Sequence, residues 1–361
     1  DRNFEQNHAV KPWDELTSLE KELFARYQEI FAGMVDNVDQ NFKRLRDELE
    51  QMDEWNNTII VFTSDNGGSR EGQELGTSAY FRTLLAFTGH TDLESTELDH
   101  SRIDLLGGPR SLAHYPMGWA MTSNTPFRLY KTNTHQGGQQ VPLIVHWQKG
   151  LPTDNQLRHQ YQHVTDLLPT ICELVGIEIP TSKGEEQLPP AAGNSFASSL
   201  TNPSADSTHS EQYYEMIGHR GMYKDGWSAS TIRQPETVFS EEHWELHDLR
   251  NDPTESVDLS EKYPEKVESM KSLWEETAWE NQVFPLDEGN NVKNILRPPW
   301  NEKLVQEMVL YPGTPTVERW KSQQLISFRN WSVEVELDYK STDQGTLFAH
   351  GDQGGGYALY V

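Results

Sequence analysis

Apolar positions along the chain fall into distinct textures. Leu23, Tyr27, Ile30, Phe31, Met34, Val35, Val38, Phe42, Leu45, Leu49 and Met52 recur at intervals of one, three or four. That spacing places them on one face of a long amphipathic helix. Lys21, Glu22, Arg26, Glu29, Lys43, Arg44 and Glu48 occupy the other face, and Thr17 and Glu20 have the spacing of a capping box. The helix is expected to cover one side of a sheet. The continuous β-branched and apolar run Thr58–Thr63 predicts a strand buried on both faces, as in a parallel sheet. Val141–Trp147 predicts a second such strand, with Pro142 near its start, where proline is tolerated. His163–Val175 predicts a helix with Pro169 early in it. Between the strands, residues 69–125 are Gly-rich and weakly periodic, the texture of a long functional loop. Helix, strand, loop, strand, helix is the order of an α/β layered domain.

Further along, residues 178–211 are rich in Pro, Ser, Gly and Glu and predict a long surface loop or linker. Short strand candidates follow at Tyr213–Ile217, Gly221–Tyr223 and His243–Leu249, then a helix over Val257–Trp279, interrupted before Pro264. This mixture predicts a small α+β subdomain. A Pro- and Asn-rich second linker follows, and then Trp331–Tyr339 alternates apolar with polar residues, with two more strand-like pieces after Gly345. Alternation with Gly-rich turns predicts the start of an antiparallel sandwich. The expected organisation is an α/β domain over 1–210, the α+β subdomain over 211–285, a linker over 286–303 and a sandwich over 304–361. The chain opens without Met and closes inside a strand-like pattern, so the expectation is that the N-terminal part of the α/β domain is missing and the sandwich is incomplete.

The 361 residues carry 56 Asp and Glu against 30 Lys and Arg, a net charge of −26. This argues against nucleic acid and anionic lipid as partners, which select basic surfaces. No apolar run approaches the ~20 residues of a membrane helix, so no membrane partner is expected. Localisation and oligomeric state stay open. The single cysteine, Cys172, excludes an intrachain disulfide and a cysteine zinc cluster; its place within Pro169–Val175 predicts a buried apolar residue.

Two segments carry candidate chemistry. Ser64–Gly68 directly follows a predicted strand, and ligands of open α/β sheets bind beyond the carboxyl ends of strands. Asp65 and Asn66 offer a carboxylate and an amide oxygen side by side, the ligand type of a hard cation such as Ca²⁺ or Mg²⁺. Asp, Asn and Gly are also the commonest turn residues, and a plain turn stands as the alternative. The second segment, Asn124–Gly138, contains Arg128 and Lys131 before a Gly pair. A lysine there is suited to pair with an oxyanion, and a solvated cationic loop is the alternative.

TIIVFTSDNGG (58–68), NTPFRLYKTNTHQGGQQVPLIVHW (124–147) and HQYQHVTDLLPTICELVGI (159–177), in that order, resemble the C-terminal half of the arylsulfatases of the alkaline-phosphatase superfamily. WELHDLRNDPTESVDLSEKYPEKVESMKSLW (244–274) resembles the segment that closes their C-terminal subdomain. The resemblance covers roughly residues 12–285 and implies an alkaline-phosphatase-like sulfatase fold. It implies that Asp65 and Asn66 ligate Ca²⁺, with Mg²⁺ as the alternative. It implies that Lys131 contacts the sulfate and the bridging oxygen, and that a formylglycine nucleophile acts on aryl or carbohydrate sulfate esters. The family's Cys/Ser-x-Pro/Ala-x-Arg source of formylglycine has no match here, so the nucleophile and the other metal ligands are expected N-terminal to residue 1, and this chain alone is expected to be inactive. His135 and Gln136 sit where the family often has Tyr or His followed by Glu; Gln136 departs in charge and receives no role. His219–Arg220 is a candidate to approach the pocket or a structural pair, and His100 and His114 are candidates for the substrate entrance or plain surface residues. Arg128 is expected beside Lys131 where the anion sits. A phosphodiesterase or phosphonate hydrolase of the same superfamily is the first alternative. A noncatalytic glycan-binding protein, using Trp300, Trp320 and Trp331, is the second.

Overall fold

Thr17 starts the longest element of the computed structural model, which describes residues 10–80, 96–154, 156–184, 186–233, 238–284, 286, 307–311, 317, 322, 325–326, 330–352 and 355–361. The predicted capping box is present. Glu20 N–H donates to Thr17 Oγ1 (3.2 Å) and Thr17 N–H donates to Glu20 Oε2 (2.7 Å). It opens a 34-residue helix, α1 (Ser18–Gln51). Only the first turns of its apolar face are covered: Leu23, Phe24 and Tyr27 are buried, with Leu106, Tyr115, Met117, Ala120 and Tyr130. Met34, Val35, Val38, Leu45 and Met52 are exposed. Among the described residues, α1 therefore packs on the segment 96–130 rather than along a sheet. The helical period was readable, but a period says nothing about how far along the face a partner extends.

Strand β1 (Ile60–Thr63) lies where the apolar run placed it and pairs with β2 (Leu143–His146). The pairing is antiparallel, Ile60 opposite His146 and Thr63 opposite Leu143, which corrects the parallel expectation. Phe62, Leu143 and Ile144 are also largely exposed among the described residues. A run of β-branched residues reports strand propensity; it does not report the direction of the neighbour. Among the described residues between these strands stand the short helices α2 (Thr96–His100), α3 (Met117–Ser123) and α4 (Gln136–Gln139). Helix α5 (Leu167–Val175) ends at Gly176, whose φ of +71° is the left-handed conformation of a C-terminal cap. Cys172 on it is half-buried, not fully buried as expected. A two-residue-strand hairpin, β3 (Ser182–Lys183) with β4 (Glu186–Gln187), and α6 (Ala197–Thr201) lead onward.

The next four strands form one antiparallel meander: β5 (Glu211–Met216), β6 (His219–Lys224), β7 (Trp227–Thr231) and β8 (Glu245–Asp248). Helix α7 (Pro264–Glu280) packs on its face, starting at the proline that pre-sets the first helical φ. Met222, Ala229, Trp244 and Leu246 meet Val267, Met270, Trp274 and Ala278 there. The predicted α+β texture is thus present, and the helix begins at Pro264 rather than Val257. The chain divides into two compact units, Asp1–Val292 and Lys293–Val361; the α/β segment and the meander both lie in the first.

In the second unit, β9 (Thr346–Asp352) and β10 (Gly355–Tyr360) form an antiparallel hairpin with Tyr357 opposite His350. Trp331 stacks on Tyr357 at 5.1 Å between ring centroids. The alternating stretch Trp331–Tyr339 is extended chain without a strand partner among the described residues, so the predicted strand is not formed there. Trp300 and Trp320 lie outside the described residues.

Candidate functional site

Ser64 follows the last residue of β1, and the chain turns at once through Asp65, Asn66, Gly67 and Gly68. The turn is built against the second Gly pair. Gly67 N–H donates to Gly138 O (3.0 Å), and Lys131 N–H donates to Gly68 O (3.0 Å). Asn124 clamps both loops, its Oδ1 accepting from Gly68 N–H (2.7 Å) and its Nδ2 donating to Leu129 O (2.9 Å). A Cβ on Gly67 would stand 1.8 Å from Gly137 O, and one on Gly138 would stand 2.1 Å from Asn133 O. These glycines are required by backbone meeting backbone. Residues 56 to 71 positions apart in sequence are thereby one piece of structure.

Asp65 is exposed, and its carboxylate makes no hydrogen bond among the described residues. Asn66 donates its amide to Gly67 O (2.8 Å), which leaves its Oδ1 free to accept. Two oxygen donors therefore project from adjacent positions, a set that suits a hard cation. No group of three His, Cys, Asp or Glu able to hold a metal occurs among the described residues.

On the other loop, Lys131 Nζ pairs with Glu71 Oε1 at 2.6 Å, both side chains about 30% exposed. His114 stands on the far oxygen of Glu71 (Nε2 to Oε2 3.6 Å) and also meets Ser69 Oγ at 2.9 Å. Its Nδ1 donates to Tyr115 O (2.9 Å), which fixes the ring. Hydrogen bonding from His114 and then from Lys131 outweighs burial and holds the Glu71 carboxyl at about 2. Arg70 takes a separate direction. Its Nε donates to Thr132 Oγ1 (3.1 Å) and its guanidinium lies over the Tyr130 ring at 5.6 Å. Thr132 holds φ +80°, a conformation that costs a β-branched residue about 1–3 kcal/mol.

A sulfatase family model matches residues 4–177. Residues 4–177 belong to the sulfatase family. The alkaline-phosphatase-like α/β fold follows from that membership. An uncharacterized sulfatase of Schizosaccharomyces pombe is 29% identical over 268 residues, 74% of this chain and 46% of that protein. An arylsulfatase of Klebsiella aerogenes is 26% identical over 188 residues, 52% of this chain and 38% of its own length. This chain thus spans less than half the length of these curated relatives. Among solved structures, the phosphonate monoester hydrolase of Agrobacterium radiobacter is similar at 15% identity, over 67% of this chain and 40% of that one, with a TM-score of 0.38.

Within this sulfatase segment the sequence candidates separate. Lys131, Asp65 and Asn66 lie on the two interlocked loops, and His114 joins Lys131 through Glu71. His100 does not; it pairs with Glu22 on the flank of α1 (2.9 Å). Arg128 corrects the expectation of a second cation beside Lys131. It is 3% exposed and holds both oxygens of Glu245 on β8, with Nη2 at 3.0 Å from Oε1. His135, fully buried, faces the same carboxylate (3.3 Å), and His247 approaches it at 3.2 Å. Burial opposes the charge on Glu245, yet His135, His247 and Arg128 overcome it and keep the carboxyl far below its usual range. Gln136 N–H donates to Glu255 Oε2 (2.8 Å) and Thr134 Oγ1 donates to Arg220 O (2.9 Å). Residues 128–136 are therefore the joint between the sulfatase segment and the meander.

Of the pair His219–Arg220, Arg220 is structural. It shares Glu242 with Arg233 (2.5 and 2.6 Å) and lies over the Trp244 ring at 5.2 Å. His219 is buried, and its Nδ1 accepts from Arg233 N–H (2.8 Å). Burial, then Arg70 and His135, push it down to about 4, so the ring is neutral and carries its proton on Nε2. Sequence reasoning missed Ser69, Arg70, Glu71 and Thr132. Their signal was adjacency: three follow the SDNGG turn directly and one follows Lys131. A groove of about 750 Å³ between Trp13, Phe24, Trp119 and Phe127 is not lined by Asp65, Asn66 or Lys131.

Proposed function

We propose that this chain carries half of the active site of a sulfate ester hydrolase. The observation that supports it most is the interlock itself: Lys131 N–H is bonded to Gly68 O, two residues beyond the Asp65–Asn66 pair. An ammonium group and two cation-binding oxygens are thereby held in fixed relation, the requirement for gripping a tetrahedral anionic head. Asp65 and Asn66 are the residues that hold Ca²⁺, which when bound supplies positive charge against sulfate oxygens. The nucleophile of this reading is the family's formylglycine, contributed from outside residues 1–361.

Lys131 acts as a point charge on a flexible stem, able to leave Glu71 for a sulfate oxygen. Its three N–H donors allow it to hold one sulfate oxygen and the bridging oxygen together, stabilising the charge that builds on the departing alkoxide. Glu71 holds the ammonium in place while substrate is absent, and His114, itself bonded to Ser69, meets the other oxygen of Glu71. Aryl and carbohydrate sulfate esters are both within this chemistry.

The test is turnover of 4-nitrophenyl sulfate by the chain joined to the formylglycine-bearing part of the domain. Lys131→Ala is expected to lower kcat by ~100-fold or more, the loss seen on removing a charge-stabilising donor. Turnover within a few-fold of the parent removes Lys131 from the reaction.

A further inference from the structure

The charge around Lys131 is uneven. Lys131 is matched by Glu71, Arg128 by Glu245, Arg158 by Asp154, and Arg220 and Arg233 share Glu242. Arg70 is half-buried in the same loop and forms no ion pair among the described residues. Only its Nε is engaged, with Thr132 Oγ1 (3.1 Å). The two terminal nitrogens, the fork that binds planar or tetrahedral oxyanions bidentately, have no hydrogen-bond partner among the described residues. A guanidinium drawn partly out of water without a counter-charge is costly unless an anion completes it.

The fork is also held in place. Tyr130 supplies an aromatic face under the guanidinium, and Thr132 pins Nε from a strained backbone position. Its surroundings differ from those of Lys131. Lys131 is tied to Glu71, beside His114 and the Tyr80 ring stacked on that histidine (5.8 Å). Arg70 instead reaches Thr132 and lies over Tyr130, with its charge felt by His219 of the meander. The two cations therefore serve two positions.

We propose that Arg70 is the cation of a second anion subsite, which takes a carboxylate or a non-scissile sulfate of the substrate. The proposal rests on the sulfate-hydrolase reading only for the word "second"; the anion site at Arg70 is testable without it. It implies a substrate with two anionic groups, as in an acidic or multiply sulfated carbohydrate, rather than a simple aryl sulfate.

The experiment is a titration of the chain with sodium sulfate, and separately with sodium acetate, at constant ionic strength. Backbone amide signals of residues 70, 132 and 219 report the Arg70 position, and those of 71 and 131 report the lysine. A saturating shift at 70, 132 and 219 is expected, and its midpoint is expected to stay within about twofold in Lys131→Gln, as independent sites require. Arg70→Gln is expected to weaken it by ~10-fold or more, the value of a charged hydrogen-bond pair. Arg70→Lys, which keeps the charge without the fork, is expected to fall between and covers the case that Arg70→Gln does not fold. Response to acetate as well as sulfate supports a carboxylate as the natural group, and response to sulfate alone supports a second sulfate. The proposal is overturned if neither anion gives a saturating shift at these residues. It is equally overturned if Lys131→Gln abolishes the shift, because one shared anion then explains it. If the Arg70 shift persists while no sulfate-dependent signal follows Lys131, the hydrolase reading fails and the Arg70 site stands.

Discussion

Glu245 is the residue whose loss is expected to damage the fold most. Its carboxylate receives Arg128, His135 and His247, and the Arg128 side chain is 2% exposed. Glu245→Ala leaves that guanidinium buried without its counter-charge. Breaking one partner of a buried pair costs about 3–5 kcal/mol. For a unit of nearly 300 residues each kcal/mol moves Tm by about 2–4 °C, so a fall of roughly 6–20 °C is expected. Differential scanning calorimetry reads it directly. Arg128→Met in the same background removes the stranded charge and is expected to restore more than half of the loss, because an apolar replacement of a buried pair is often close to neutral. A Tm within about 2 °C of the parent for Glu245→Ala refutes the reasoning. So does an Arg128→Met/Glu245→Ala chain no more stable than the single variant. The sign with pH follows from the depressed Glu245 carboxyl. Its contribution is complete above the ordinary carboxylate range and is lost only as pH falls through its folded value. Stability from this pair is therefore flat between pH 8 and 6.

Gly67→Ala sets a Cβ 1.8 Å from Gly137 O; it is expected to cost about 1–3 kcal/mol in denaturant unfolding and to disturb the amide of Gly138, and a neutral result contradicts the interlock. Calcium is expected to bind the chain weakly, with Kd of ~0.1–1 mM as for sites with few charged ligands, and Asp65→Ala is expected to abolish it in calorimetry; tight stoichiometric binding contradicts a partial shell. His219, held at about 4 by burial, Arg70 and His135, is expected to remain neutral at pH 5 in an NMR titration. Because its folded value lies below the unfolded one, it contributes stability that is lost as pH falls from about 6.5 toward 4, and a measured value at or above 6.5 overturns this placement.

Local signals were legible in the sequence and long-range ones were not. The Thr17–Glu20 capping box and the β1 run act within a few residues, and each is written in residue type. The direction of β2 against β1 was not, because strand propensity is blind to the partner. Asp65, Asn66 and Lys131 came out as candidates through their motifs, and the structure places them on adjoining loops. Arg128 was misread because its sequence neighbours are those of Lys131, while its side chain crosses to Glu245, 117 positions away. Arg70 and Glu71 went unseen for the opposite reason: one charge of each sign side by side looks like solvated surface until the three-dimensional pairing shows that only one of them has been cancelled.

The Gly67–Gly138 contact has a consequence for how such a site can change over time. The two loops are joined through main-chain atoms, so their relative position does not depend on which side chains they display. Ser69, Arg70 and Glu71 lie just outside the joint. On the proposed function, replacements there can alter which molecules are accepted while the Asp65–Asn66 pair and the lysine keep their mutual geometry. Selectivity and reactivity are therefore separable inheritances in this protein, with four glycines as the fixed hinge pin between them.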